Sequence, residues 1–352
     1  MQNKVARAIL ALIVAVAVFV VVNAAGILIF SYSPKDVEQI SLAGQAQSKK
    51  LSPDKIKILT FNTGHGALGE EADSKKEGGN GKRQSADAVL KNIRGISEIV
   101  NLSSADIMLL QGVDIDSYRS RYVDEYDYYL NNGSYIGAFA KDHSARSTSL
   151  LPPYKKVTSG LLTLSRKNML LAERISLPKG YGGLSAPTNP KRAMLVSLFD
   201  VEGSDKKLAV INLELDAYTN KANYDKQLSA AVNFAKKLYE NGYYVVCAGS
   251  FNAQLDDTSS RYPLNDRNAF TPKALSSSEL ESGWLLSYDP SVATARILNA
   301  PYDAKAPYEE RQVYVSDGFI TSPNVEIKNV VTVDQQFRYS HHNPVLLEIS
   351  LK

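Results

Sequence analysis

The sequence predicts a mixed α/β layered domain behind one N-terminal membrane-spanning helix. Three observations carry that prediction: a long apolar run near the start, strand-like stretches interleaved with amphipathic helical ones, and an ordinary globular composition. The 352 residues are 44% hydrophobic and 22% charged. That balance argues against wholesale disorder and supplies enough apolar surface for a substantial core.

Residues 1–7 carry Lys4 and Arg7 and read as a short cytoplasmic N-terminus. Residues 8–30 follow with Asn23 as their only polar side chain, long enough to cross the hydrocarbon core as a helix. The basic flank orients such a helix with the N-terminus in the cytoplasm and the remainder outside. A cleaved signal peptide is the rival reading, with small residues at Val22-Asn23-Ala24, but the apolar run continues through Phe30. That is long for a signal's apolar region, so an uncleaved anchor is expected. Residues 31–54 are polar, with no sustained apolar period, and read as a linker lifting the domain off the membrane.

Residues 55–352 form the expected globular domain. It opens with an alternating strand over 56–62 that runs into a glycine-bearing loop. Val89, Ile93, Ile96 and Val100 then recur at helical spacing after Ser85, predicting an amphipathic helix. Strands are predicted over 106–111, 160–165 and 208–213. Leu228, Val232, Ala235 and Leu238 mark a helix over 224–239, with Gly242 as its C-cap before a strand over 243–248. Later strands fall at 313–321 and 344–351. This order suits a layered α/β domain but leaves its topology open.

The whole-chain numbers also exclude. A formal charge of +3 does not support nucleic-acid binding, for which a strongly basic domain is needed. Cys247 is the only cysteine and stands in an apolar run, so it reads as a buried small hydrophobe compatible with an oxidising exterior.

The motifs come next. Gly249-Ser250-Phe251-Asn252-Ala253 closes the strand over 243–248. It resembles the Gly-Asp-Phe-Asn-Ala strand end of the endonuclease/exonuclease/phosphatase family, metal-dependent phosphoester hydrolases with a DNase I-like fold. Five further segments match that family in order: Phe61-Asn62, Gln111-Gly112, Asn212-Leu213-Glu214-Leu215-Asp216-Ala217, Ser316-Asp317-Gly318-Phe319-Ile320 and Ser340-His341-His342-Asn343-Pro344-Val345. The resemblance implies a four-layer α/β/β/α sandwich with the active-site loops at one edge of two packed sheets. It also implies a divalent cation, Mg²⁺ or Mn²⁺, held by hard oxygen ligands.

Residue by residue, the resemblance carries Asn62, Asn252, Asp317 and His342 over as retained catalytic positions. It carries Gly112, Glu214, Ser250 and His341 over as departures. Gly112 stands for the principal metal-ligating Glu, Glu214 for a phosphate-contacting His, Ser250 for the water-positioning Asp, and His341 for a metal-holding Asp. A hydroxyl cannot carry the carboxylate charge that activates water, and Glu214 puts a negative charge where an anion should bind. All four departures fall on chemical groups while the apolar and turn residues fit. The expected protein is therefore a divergent, membrane-anchored, catalytically degenerate member that binds a phosphorylated small molecule or a protein partner.

Two alternatives remain open at this level. One is an active phosphodiesterase, phosphatase or nuclease with a rebuilt site, in which Asp114, Glu214 and His341 hold a transition metal. The other is a structural envelope protein with a vestigial pocket. Arg119 offers a bidentate grip on an anion, and Gly78-Gly79-Asn80-Gly81-Lys82-Arg83 offers backbone N–H groups beside positive charge. Asp114 and Asp116 otherwise read as solvated loop acids, and His65 and His143 as exposed. The tyrosines at 122, 126, 128 and 129 read as packing residues. Thr294-Ala295-Arg296 and Pro301-Tyr302 carry no chemistry of their own.

Overall fold

Alternation decides the architecture. In the opening strand Ile56 and Ile58 face one core while Leu59 and Phe61 face another, as the two-residue period of a strand requires. Every such strand must therefore be covered on both sides. A computed structural model describes residues 2–46, 50–149, 152–256, 258–265 and 269–352.

In chain order the main elements are α1 (Gln2–Ile29), β1 (Val37–Ile40), β2 (Leu42–Gly44), β3 (Ile56–Asn62), α2 (Ala86–Leu102), β4 (Ile107–Asp114) and α3 (Glu125–Asn131). They continue with β5 (Ile136–Ala145), β6 (Val157–Ser165), β7 (Met169–Ser176), β8 (Ala193–Asp200), β9 (Lys207–Glu214), α4 (Lys221–Glu240) and β10 (Tyr244–Ser250). The last are β11 (Leu285–Ser287), β12 (Asp317–Thr321), β13 (Val325–Thr332) and β14 (Val345–Leu351). One sheet runs β1-β7-β8-β9-β10-β12-β11 and the other β13-β14-β3-β4-β6-β5-β2.

The two sheets pack face to face through Ile58, Leu109, Leu195, Val210, Val246 and Phe319, all buried. Outside one sheet, α2 buries Val89, Ile93, Ile96 and Val100 against Leu59, Phe61 and Leu110. Outside the other, α4 buries Tyr224, Leu228, Ala231 and Ala235 against Ile211, Val245 and Cys247. The result is the expected four-layer α/β/β/α sandwich behind an apolar N-terminal helix. Each fully buried Leu, Ile, Val or Phe contributes roughly 1.5–3 kcal/mol relative to exposure. The helix ends follow local chemistry: Ser85 accepts from the Ala88 N–H at the start of α2, and Gly242, at φ +88°, follows α4.

The segment expected as a linker, 31–54, takes part in the domain. β1 pairs antiparallel with β7, β2 pairs antiparallel with β5, and Leu51 bridges to Val201 and is fully buried. Ile40, Leu42 and Leu51 are apolar residues scattered among polar ones, enough to cover two sheet edges but too few to give a period. The strand expected over 313–321 divides, leaving Asp317 at the first position of β12. Within the hairpins of β5 to β8 only the strand over 160–165, part of β6, was read, because the other strands alternate imperfectly.

Between the sheets, at their cleft end, lies one polar clasp. Gln111 Nε2 donates to Asn212 Oδ1 at 2.8 Å, and Asn212 Nδ2 donates to the carbonyls of Leu110 and Leu162 at 3.2 and 3.1 Å. Both residues are fully buried, so each hydrogen bond spares a desolvated amide. Asn212→Ala is expected to leave those groups unpaired and to cost about 1–3 kcal/mol. Chemical denaturation of the variant beside the parent chain measures this, with an unchanged midpoint counting against the clasp.

Candidate functional site

Two parallel strand pairs build the site. β3 runs parallel to β4, and β9 runs parallel to β10. Their C-terminal ends bring Asn62, Gly112, Glu214 and Ser250 to one edge of the sandwich. β12 runs antiparallel to β10 and sets Asp317 directly opposite Ser250. The segment leading into β14 adds His341 and His342. A cleft of about 680 Å³ opens there, lined by Asn62, Glu214, Asn252 and His341 among others.

The retained positions are mostly held by their neighbours. His342 Nδ1 lies 2.7 Å from Asp317 Oδ2, and both residues are only 1% exposed. Thr294 Oγ1 accepts the N–H groups of Ser316 and Asp317 at 2.7 and 2.9 Å, which fixes the Asp from below. Asn252, at φ +51°, donates its amide to the Leu215 carbonyl at 2.6 Å. Asn62 Oδ1 accepts the Gly64 N–H at 3.1 Å. Asn62 and Asn252 thus line the cleft, and the His–Asp pair lies beneath it.

The departures are filled rather than empty. Gly112 lies in a bulge of β4 at φ +65°, a conformation that favours glycine. A Cβ there would stand 3.1 Å from Asn62 Oδ1 and 3.2 Å from the His65 ring. His65 occupies that space, with Nδ1 2.9 Å from the Gly112 carbonyl. Its imidazole is half-buried, contrary to the exposed loop position expected. Burial and then the Arg119 charge push its pKa down to about 3. His143, also expected to be exposed, is half-buried with Nε2 3.0 Å from the Thr188 carbonyl and is likewise lowered to about 3 by burial and Arg119. His341 lines the cleft with Nδ1 unpaired and its ring edge-on to His342 at 4.3 Å. Burial, then His342, hold it well below the usual imidazole range.

Asp114 and the acids around Glu214 are engaged by arginines. Asp114 is fully buried rather than solvated, and Arg119 clamps it bidentately at 3.0 and 2.8 Å. Burial would raise its pKa, but the Arg119 charge prevails and holds it at about 2. Arg119 thereby spends its fork on an internal partner. Arg192 binds three acids at once: Glu214 at 2.9 and 2.7 Å, Asp142 at 2.6 Å and Asp216 at 3.0 Å. Gln227 completes the cluster with a 2.9 Å bond to Asp216. Burial and the neighbouring acids raise Asp142 to about 6, although Arg192 lowers it.

These residues do not fit the cation that the sequence motifs imply. Gly112 has no donor, and Asp114 and Glu214 are each spent on a guanidinium. Among the described residues, no group of three or more His, Cys, Asp or Glu side chains is placed to hold a metal ion. Of the trio Asp114, Glu214 and His341, the two acids are paired with arginines and His341 lines the cleft with Nδ1 unpaired. Asp116 forms only a surface ion pair with Lys156. The glycine-rich loop closes on itself, because Asp73 accepts the N–H groups of Asn80 and Gly81 at 2.8 and 2.7 Å. Arg296 is buried and pins the Gly69 and Ala72 carbonyls at 2.8 and 2.9 Å.

Sequence reasoning missed Arg192, Asp142 and the role of Asp216. Asp216 was legible in principle, standing two residues beyond Glu214 in the same motif. Arg192 was not, since its partners lie 22, 24 and 50 residues away. Of the cleft wall, the sequence reading gave a binding role to Lys82, Arg83 and Arg119 but not to the other cations. Nine Lys or Arg side chains line the cleft against five Asp or Glu, so it carries net positive charge. Arg83 stacks on Tyr118 at 3.6 Å and Lys76 on Tyr218 at 4.6 Å, which holds both cations in place.

Comparison with known proteins agrees with this architecture. A profile of the Endonuclease/Exonuclease/phosphatase family matches residues 59–327. An endonuclease/exonuclease/phosphatase from Beutenbergia cavernae DSM 12333 aligns over 85% of this chain and 72% of its own, at 13% identity and a TM-score of 0.56. The human Nocturnin catalytic domain aligns over 89% and 98%, at 14% identity and a TM-score of 0.53. A humanized D. rerio TDP2 aligns over 84% and 99%, at 14% identity and a TM-score of 0.52. Such identities show a shared fold. No curated protein matches the sequence.

Arg192→Met is expected to destabilise the fold by about 3–5 kcal/mol, because it strands three acids without their cation. Equilibrium denaturation measures this, and a loss below 1 kcal/mol would show that water screens the cluster. A second expectation concerns pH. His65 and His143 have folded pKa values below the ordinary 6.5, so their contribution is present above 6.5 and lost as pH falls toward about 3. Asp142 acts oppositely: its contribution is present below the ordinary 3.8 and lost as pH rises through about 6. His341 acts with these two imidazoles, and the buried Glu125 and Glu77 act with Asp142, so the balance sets the total slope, while His65→Gln should remove about 1 kcal/mol per pH unit of the fall between pH 6.5 and 4. Denaturation midpoints across the range measure both slopes.

Proposed function

The chain belongs to the endonuclease/exonuclease/phosphatase family, and we propose that it is a catalytically degenerate member whose cleft binds a phosphorylated ligand. The observation that carries this reading is the engagement of Glu214 and Asp114 by Arg192 and Arg119. A carboxylate locked to a guanidinium is a poor general base and a poor metal ligand. Ser250, beside Glu214 and Asp317 in the sheet register, offers no base in its place.

The binding role rests on the cleft's charge. Lys76 and Arg83 are held on tyrosine faces along one wall, while the acids bound by Arg192 form the floor. Phosphate is therefore placed on the wall, away from Glu214. Burial, followed by Arg192 and Arg119, lowers the Lys76 pKa, so an anion beside it relieves repulsion among cations. We further propose that α1 remains as an uncleaved anchor with the domain outside the cell. Its apolar length and the preceding Lys4 and Arg7 support that orientation.

The His342–Asp317 pair favours a second reading, residual hydrolysis, and one experiment addresses both. The full chain is incubated with a generic phosphodiester and phosphomonoester in Mg²⁺, Mn²⁺, Ca²⁺ or Zn²⁺. The expected result is no turnover, with inorganic phosphate raising the melting temperature. Lys76→Ala with Arg83→Ala should weaken that phosphate binding by at least tenfold, since a charged hydrogen bond is worth about 1.5–3 kcal/mol. Turnover abolished by His342→Ala would overturn the degenerate reading.

A further inference from the structure

The end of α1 touches the domain at the mouth of the cleft. Residues 4–19 of the helix are exposed, whereas 23–27 are half-buried against the domain. The Tyr154 hydroxyl donates to Asn23 Oδ1 at 2.9 Å. Beyond the helix, Arg146 lies over the Phe30 ring at 5.4 Å and Lys141 over the Tyr32 ring at 5.3 Å. Tyr32 also donates to the Lys141 carbonyl at 3.2 Å. The same stretch of chain lines the cleft through Thr148, Lys155 and Lys156.

These contacts lie toward the outer end of α1, so Tyr154 and its neighbours stand beside the end of the helix that leaves the bilayer. Tyr154 is 46% exposed, and an aromatic ring with a polar tip suits the headgroup interface. Around it stand the exposed cations Arg146, Lys155 and Lys141, with Lys156 already paired to Asp116.

We propose that this face, centred on Arg146, Tyr154 and Lys155, docks on the anionic headgroup layer of the bilayer that α1 spans. The proposal rests on α1 being a retained anchor. It places the mouth of the cleft at headgroup level instead of on a flexible tether. The chemistry recognised is the phosphate of anionic phospholipid, read by exposed cations and an interfacial tyrosine. Each exposed cation near such a surface strengthens the contact by about fivefold, and the attraction fades within a Debye length as salt rises.

The test uses the full chain in nanodiscs with spin-labelled lipid. Tyr154→Trp in a Trp284→Phe background leaves a single tryptophan as the depth probe. Its emission should be quenched at least twofold more in phosphatidylglycerol discs than in phosphatidylcholine discs. Arg146→Glu with Lys155→Glu should abolish that difference. Backbone hydrogen exchange over residues 152–157 of the unsubstituted chain gives a second readout, with at least threefold slower exchange expected in anionic discs. Carbonate-resistant membrane association reads the anchor separately. A chain that resists carbonate but shows neither quenching nor protection overturns the docking alone. A chain lost to carbonate overturns the anchor and the docking together.

Discussion

One guanidinium organises the cleft. Arg192 stands just before β8 and gathers Asp142 from β5, Glu214 from the end of β9 and Asp216 from the turn toward α4. β5 belongs to one sheet and β8 and β9 to the other, so the cluster ties the two sheets together at the cleft floor. Three like charges in a buried site would repel strongly without that cation. The same contacts fix Glu214 in place and withdraw it from acid–base work. They also divide the cleft electrically, with acids neutralised on the floor and free cations on the wall. Architecture and chemistry thus depend on one ion cluster.

The fold was legible because its signals are local. Helical spacing at Val89, Ile93, Ile96 and Val100 and the apolar run before Gly249 are each read within a few residues. Gly249 shows why its motif survives. At φ +148° a Cβ there would lie 1.9 Å from the Leu213 carbonyl oxygen, so only glycine lets β10 approach β9. The short edge strands β1 and β2 were not legible, because three scattered apolar residues give no period. Topology came from the motifs and not from the alternation.

The site was legible by position but not by state. Asn62, Asn252 and His341 line the cleft, and Asp317 and His342 lie directly below it, as the motif order implied. What the sequence could not show is which partner each side chain takes. Asp114 and Arg119 are five residues apart, yet the sequence reading gave Asp114 to a metal or to solvent and Arg119 to an anion or a surface salt bridge instead of to each other. Glu214 looked free because Arg192 meets it across a β-hairpin. His65 looked exposed because the room it fills exists only where Gly112 lacks a side chain. Pairing across strands is a property of register, and no single segment encodes it.

The departures from the family motifs also constrain one another. A glutamate at Gly112 would require left-handed backbone at φ +65° and would compete with His65 for the same space. An aspartate at Ser250 would stand between Glu214 and Asp317, which flank that position in the sheet register. Three adjacent carboxylates there would need a cation, and Arg192, which holds Glu214, is already shared among three acids. Removing Arg192 to free Glu214 would strand Asp142 and Asp216. Each such substitution therefore costs stability unless another accompanies it, so the present cleft is held as a unit by these contacts.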